Sequence, residues 1–380
     1  MPAEKNKNLF DLHVVVFAGP NGSGKTSLID EIKETGLETV KGVYPLPAYF
    51  INPDQVAKDL QGDFLDQNSR DEAAQRAAMR LRADAIASKL PFAFETVMSH
   101  PSRINEMLML KEQDYRLFLT FITTDDPEKN VARVTLRYET GTTTGHYVAP
   151  EKVRERYHRT LALLPRAAEV ADAVYIYDNS IDYEKPRLQA VIERDALFSV
   201  SPDAKEWVIK RLILPLQERE RDLNELMDML DKKGHTVGDT DELNGTYKGP
   251  VLFKTSHYLV QFDDATDQAV IHDRLMLDTV QKGIGNAPPT YEEDENLTIH
   301  YSQENAPRVE NHGKKVQRII SFVEWILPAV AGCKPAGTID PCTRRAVVRH
   351  WTNCRRTCER RCARFGAGVP NTLVLTGAIF

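Results

Sequence analysis

The chain has 380 residues, a formal net charge of −6, 42% hydrophobic and 27% charged residues. That length leaves room for two domains that each bury a core, and the composition excludes a low-complexity or collagen-like chain. No run of about 18 apolar residues could span a bilayer, and Met1 to Leu12 carry no signal-peptide pattern, so a soluble cytoplasmic protein is expected.

Charge and cysteine are unevenly spread. From Cys333 onward there are eight Arg, one Lys, one Asp and one Glu, a net of +7 that leaves −13 for residues 1–332. All five cysteines lie in this tail, so the preceding residues need no disulfide, which fits a reducing compartment.

Apolar runs at 13–19, 48–51, 92–97, 116–123 and 173–177 read as strands. Segments 26–34, 70–89, 101–112, 127–138 and 150–166 carry apolar residues at helical spacing between them. This alternation predicts an α/β fold over 1–212, a P-loop NTPase-type, mostly parallel sheet with helices on both faces. Val208, Leu212, Leu216, Leu223, Leu226 and Leu230 then mark an amphipathic helix, which with a linker occupies 213–245. Short runs in 246–282 predict a small β-rich module. The polar, acidic stretch from Gly283 to Lys315, with Pro288 and Pro289, reads as a linker, and 283–380 as linker plus a basic, disordered tail. In that tail Cys354, Cys358 and Cys362 recur every four residues without the fourth ligand and spacing usual in metal sites. Its arginine-rich composition fits either translation outside the original frame or a basic arm that contacts nucleic acid.

Gly19-Pro20-Asn21-Gly22-Ser23-Gly24-Lys25-Thr26, followed by Ser27, fits G-x-x-x-x-G-K-[ST] and falls between a strand and a helix, as phosphate binding requires. The glycines let backbone N–H groups converge on a β-phosphate, the helix N-terminus adds its positive end, Lys25 reaches the β/γ oxygens and Thr26 holds Mg²⁺. A motor ATPase, a GTPase and a small-molecule kinase all share this cradle, so other residues must separate them.

Three further features point to phosphoryl transfer. Asp54 follows the second strand at the sheet edge that faces ligands, and is the candidate general base. Glu95 and Thr96 end the third strand, with Ser99, His100, Ser102 and Arg103 just beyond, so Glu95 could bind the acceptor or a metal-bound water. Arg137-Tyr138-Glu139-Thr140-Gly141 then leads into a basic helix with Lys152, Arg154, Arg156, Arg159 and Arg166, a lid whose guanidinium groups could neutralise a transferring phosphoryl group.

The segments GPNGSGKTS, INPD, FETVMSHPSR, LRYETG and GHYVAPEKVRERYHRTL together resemble the zeta-toxin family over residues 10–212. The resemblance implies a P-loop kinase using ATP and Mg²⁺ to phosphorylate a sugar hydroxyl of a UDP-linked amino sugar, typically UDP-N-acetylglucosamine, with an antitoxin as protein partner. It assigns Lys25 and Thr26 to phosphate and metal, Asp54 as base, Glu95 to the substrate and Arg137 as the first clamping arginine, while Thr96, Arg103 and Arg154 are further substrate-binding candidates. The second clamping arginine falls near Tyr147, so Arg154 or Arg156 must replace it. Residues from Thr246 to Asp273 resemble the KfrB domain of plasmid-encoded proteins. The other reading is therefore an ATP-binding adaptor of a plasmid or mobile element that acts through partner or DNA binding, although 246–280 carries no basic stripe.

Overall fold

The computed structural model describes residues 12–40, 42–60, 64, 67–140, 148–194, 196–279 and 291–314, all within one compact unit, Met1–Lys315. The cysteine-containing tail expected to be disordered lies outside the described residues.

The first part of the chain alternates β1 (His13–Ala18), α1 (Lys25–Thr35), a hairpin of β2 (Leu37–Thr39) and β3 (Gly42–Tyr44), β4 (Phe50–Ile51), α2 (Pro53–Asp59) and α3 (Gln67–Ala87). It continues through β5 (Phe92–Thr96), α4 (Ser102–Glu112), β6 (Arg116–Thr123), α5 (Pro127–Thr140), α6 (Pro150–Val170), β7 (Ala173–Asp178), β8 (Arg187–Glu193) and β9 (Leu197–Val200). The main sheet has the order β4-β5-β1-β6-β7-β8-β9. β4 to β7 run parallel, whereas β8 and β9 return antiparallel. All five expected strands and all five expected helices are present. The antiparallel pair β8–β9 and the β2–β3 hairpin were not expected.

β1 is buried along its whole length because both faces of the sheet are covered. Val14 and Val16 face a core with Phe92, Leu164 and Trp207, while Val15 and Phe17 face Leu28, Ile32 and the hairpin's Tyr44. At this central strand the order reverses, with β5 on one side and β6 on the other, so the carboxyl ends of the three strands open a crevice.

Next come α7 (Glu206–Val208), a π-helical turn (Ile209–Ile213) and α8 (Leu214–Lys232), which run on as one helix. The extra residue in the turn lets Trp207 and Leu212 both enter the main core while Leu226 and Leu230 reach the next domain. Trp207 Nε1 donates to the buried Asp178 Oδ2 at 2.8 Å, fixing this helix to the end of β7.

The second sheet comprises β10 (Val237–Gly238), β11 (Thr246–Lys254), β12 (Tyr258–Asp263), β13 (Gln268–Asp273), β14 (Glu295–His300) and β15 (Arg308–Lys314), ordered β10-β13-β12-β11-β14-β15. A short helix, α9 (Arg274–Thr279), follows β13. The stretch read as a linker from Gly283 to Lys315 therefore contains two strands. β14 is mostly buried beside β11, whereas β15 is an edge strand with a largely exposed polar sequence, which gives no apolar alternation to detect.

The module's core holds one fully buried histidine. His272 Nδ1 lies 2.9 Å from Tyr301 Oη and its Nε2 3.2 Å from Gln261 Oε1. Burial drives its pKa down from 6.5 to about 3, against a smaller opposing pull from Asp263. Because the unfolded chain accepts a proton that the native state refuses, this stability is complete above pH 6.5 and is lost as pH falls toward 3. The slope approaches about 1.4 kcal/mol per pH unit. Denaturant unfolding at pH 7, 6, 5 and 4 should show this decline in the parent chain and a shallower one in His272→Gln.

Candidate functional site

The loop from Gly19 to Thr26 leaves β1 at the crevice and enters α1. Gly19 and Gly22 adopt φ of 152° and 75°, in the region open to glycine, and both are pressed against neighbouring backbone. A Cβ on Gly19 would stand 2.1 Å from the Ile122 carbonyl oxygen, and one on Gly22 would stand 2.5 Å from that of Asn130. Gly24 is the residue before the helix, and Thr26 and Ser27 are exposed in the first turn of α1, which contains no acidic side chain. The first turn therefore sets no acidic side chain against the positive end of the helix.

Side chains from three directions brace the loop. The fully buried Asn130 of α5 donates through Nδ2 to the Asn21 carbonyl oxygen at 2.7 Å, and its Oδ1 accepts from Thr124 Oγ1 at 2.5 Å. Asn179, just after β7, donates to the Ser23 carbonyl oxygen at 2.9 Å. Arg156 of α6 donates through Nη1 to Asn21 Oδ1 at 3.1 Å. Lys25 Nζ donates to the carbonyl oxygens of Gly19 and Pro20 at 2.8 and 3.0 Å and lies 3.6 Å from Glu95 Oε1.

Glu95 Oε2 accepts from Asn52 Nδ2 at 3.1 Å, so the carboxylate is fixed from the adjoining β4 end. The Thr96 hydroxyl accepts from the Met98 N–H at 3.1 Å, and the Thr96 carbonyl oxygen accepts from Gly19 N–H at 3.3 Å. Met98 has φ of 55° and is buried, an unusual backbone state for a non-glycine residue, held at the turn that leads from β5 into the cavity.

A cavity of about 360 Å³ opens directly from the loop at Asn21, Gly22 and Lys25. Glu95, Thr96, Arg103, Arg137 and Arg156 all line it, joined by Arg82 of α3 and His100. Among the described lining residues, five are lysine or arginine and one is a carboxylate. Arg103 Nη1 donates to Glu106 Oε2 at 2.8 Å. Arg82 Nε stands 3.0 Å from Glu106 Oε1 without hydrogen-bond geometry, so that pair is ionic rather than directional; its guanidinium also lies 4.8 Å from the centre of the Phe94 ring.

Burial, and after it neighbouring cations, disfavour the charged forms of three of these side chains. Burial, then Arg103 and Arg159, hold His100 below the ordinary histidine range. Burial and Arg159 lower Arg156, and burial and Arg103 lower Arg82, with Glu155 and Glu106 opposing. An anion entering the cavity would relieve these repulsions.

The predicted site residues thus converge with two exceptions. Arg154 forks onto Glu128 at 2.6 and 2.8 Å on the exposed side of α6 and does not line the cavity, so of the two alternatives it is Arg156 that reaches the loop. Asp54 lies in the first turn of α2, next to the lining residues Asn52 and Pro53, and its side chain is outside the described residues, as is the segment from Gly141 to Tyr147. Arg166, read as part of the lid helix, is instead mostly buried against Glu242 and Asp273. Asn130, Asn179, Thr124 and Arg82 were missed. The strand-edge rule that selected Asp54 and Glu95 would also have selected Asn179, whereas a polar residue within an amphipathic helix, such as Asn130, carries no distinguishing signal.

A parallel sheet with a glycine-rich phosphate loop at its switch point defines a P-loop NTPase-type α/β fold, here followed by a small β-rich domain. At 30% identity over 145 residues, covering 38% of this chain and 91% of the relative, the chain belongs to one family with an uncharacterized protein of Haemophilus influenzae Rd. Residues 246–310 match the KfrB domain, which extends the module expected at 246–282 through β14 and into β15. Similar solved structures include the AvrRxo1-ORF1:AvrRxo1-ORF2 complex with sulphate ions (TM-score 0.40, 15% identity, 53% of this chain and 63% of that chain). The same complex with ATP gives 0.39 and 14%, over 51% of this chain and 62% of that one. This chain therefore spans under two thirds of the AvrRxo1 complex chain. A structure from the PezAT chromosomal toxin–antitoxin system of Streptococcus pneumoniae gives 0.32 and 14%, over 57% and 88%. Among the described residues no helix is long and apolar enough to cross a membrane, and no group of three or more His, Cys, Asp or Glu is placed to hold a metal.

Removing the Asn130 amide would leave the Asn21 carbonyl oxygen without its donor and let the loop relax. Asn130→Ala should weaken MgATP binding about tenfold, the equivalent of about 1.4 kcal/mol, as measured by titration calorimetry. Unchanged affinity would mean that the loop holds its shape without this brace.

Proposed function

We propose that the chain is an ATP-dependent kinase that transfers the γ-phosphoryl group to a hydroxyl of a small anionic acceptor, of the nucleotide-sugar class to which UDP-N-acetylglucosamine belongs. The observation that carries this reading is that the phosphate loop opens onto a cation-lined cavity that holds, among the described side chains, one fixed carboxylate, Glu95. A motor ATPase or an adaptor needs the loop and has no use for an acceptor compartment.

The residues fit the nucleotide and its metal: the loop backbone is close-packed and glycine-shaped, the first turn of α1 is free of acids, and the exposed Thr26 is a hard oxygen donor. Thr26 would hold Mg²⁺ together with the phosphates, which is how this ion is usually bound, and the metal when present neutralises phosphate charge. Gly19, Asn21, Gly22, Ser23, Gly24, Lys25, Thr26 and Ser27 then form the ATP cradle.

In this reading Asp54 accepts the proton of the acceptor hydroxyl as its oxygen bonds to the γ-phosphorus and the bond to the β–γ bridging oxygen breaks, leaving ADP. Glu95, held by Asn52, orients the acceptor with Thr96 and Arg103. Arg137 and Arg156 stabilise the equatorial oxygens, and Lys25 follows the charge onto the leaving phosphate. The motif resemblance to zeta toxins supports the nucleotide sugar as acceptor and an antitoxin as protein partner. The KfrB match favours the second reading, an adaptor whose ATP-bound state governs docking to DNA or protein.

Purified full chain with MgATP should release ADP faster when UDP-N-acetylglucosamine is added. Asp54→Asn should cut that turnover by about 10²–10⁴-fold while leaving ATP affinity within about twofold. Arg156→Ala should cost about 10³-fold in kcat, and Arg154→Ala should cost little. Turnover without any acceptor effect, combined with ATP-modulated, salt-sensitive DNA binding, would replace the kinase reading with the adaptor.

A further inference from the structure

Helix α6 has two ends with different duties. At 1.5 Å per residue it is about 31 Å long. Its first half serves the cavity: Arg156 reaches Asn21, Tyr157 Oη donates to the Thr124 carbonyl oxygen at 2.7 Å and Thr160 Oγ1 to that of Val97 at 2.9 Å. Its last turn is held by the rest of the molecule. Arg219 of α8 forks onto Glu169 at 2.6 and 2.8 Å and also donates to Asp273 Oδ2, at the end of β13, at 2.7 Å. Arg166 donates to Glu169 at 3.2 Å and to Glu242, just before β11, at 2.5 Å. Arg219 and Asp273 are only 3% and 5% exposed.

The neighbouring wall of the cavity is held from the same side. Asn105 of α4, 2% exposed, donates through Nδ2 to the carbonyl oxygens of Ser302, Gln303 and Asn305 at 2.9, 3.3 and 3.0 Å. Two residues earlier on α4 is Arg103, which lines the cavity. Met276 of α9 is buried in the main core with Leu161 and Leu164 of α6.

We propose that the β-rich module is a fixed abutment of the acceptor compartment, and that Glu169, Arg219 and Asn105 are positioning residues that set Arg156 and Arg103 through α6 and α4. Arg219 is buried and has no solvated alternative to its fork on the partly exposed Glu169 and its bond to the buried Asp273, so α6 cannot turn or slide without stranding that guanidinium. Small displacements of a phosphate-clamping arginine are costly to transfer. The module's place in the chain is then catalytic support, in contrast to a domain that merely docks elsewhere.

The test uses the full chain carrying Glu169→Gln or, separately, Asn105→Ala; the second removes three hydrogen bonds without stranding a charge and guards against a first variant that fails to fold. Hydrogen exchange should rise about tenfold both in residues 102–112 and in the remote first half of α6, residues 150–160. MgATP affinity should stay within about twofold while kcat falls about tenfold through Arg156 and KM for UDP-N-acetylglucosamine rises through Arg103. Faster exchange confined to 214–314, with 102–112 and 150–160 unchanged, would overturn the inference. The KM arm rests on the kinase reading. If the parent chain does not turn over this acceptor, that reading's substrate fails and the exchange pattern alone decides the inference.

Discussion

Everything at the site depends on how closely the phosphate loop's backbone approaches the sheet. Gly19 and Gly22 lie where a single methyl group would collide with the backbone of β6 and α5. That closeness brings three side-chain donors within reach of the loop's own oxygens, so Asn130, Asn179 and Arg156 can fix its shape before any phosphate arrives. A cradle already held in shape need not be ordered by its ligand, which is the physical meaning of preorganisation here. Asn21 matters most, since its carbonyl is bound to α5 and its amide oxygen to α6. One residue thereby ties the phosphate loop to the helices that carry Arg137 and Arg156.

Electrostatics follows from the same packing. Lys25, Arg82, Arg103, Arg137 and Arg156 converge on one cavity, and burial together with a neighbouring cation disfavours the charged forms of Arg82 and Arg156. Glu106 supports Arg82 and Arg103 from behind, and Glu95 stands against Lys25. Among the described side chains that line the cavity the balance remains positive.

Much of this was legible in the sequence, for identifiable reasons. Parallel strands buried on both faces are continuous apolar runs, so the five parallel strands of the main sheet stand out, and the helices between them have a clear apolar period. β8 is largely exposed at Arg187 and Leu188, and β9 is exposed along most of its length, so neither shows such a run. β15 resembled a linker because an exposed edge strand has no buried face to pattern it. The loop and Glu95 were legible because motif and strand edge coincide, and Arg137 because it falls in the LRYETG segment. Arg154 and Arg156 were indistinguishable, because two residues on a helix differ by about 200° in direction and only the packing of α6 decides which faces Asn21. Arg82 was hidden thirteen residues before Glu95, in a helix whose charges otherwise look solvated.

The choice of ions at the joint between α6, α8 and the second sheet also has a physical logic. Apolar residues of similar volume would serve stability at least as well, because desolvating Arg219 and Asp273 opposes much of their attraction. What an apolar joint would not supply is direction. Leucines can repack across a slide of an ångström, whereas a forked guanidinium matched to Glu169 and Asp273 cannot. Apolar contacts are present as well, through Met276, so burial is supplied twice over and the ionic contacts add register. Register is what the opposite end of α6 requires, because Arg156 meets Asn21 through a single hydrogen bond that a modest rotation of the helix would break.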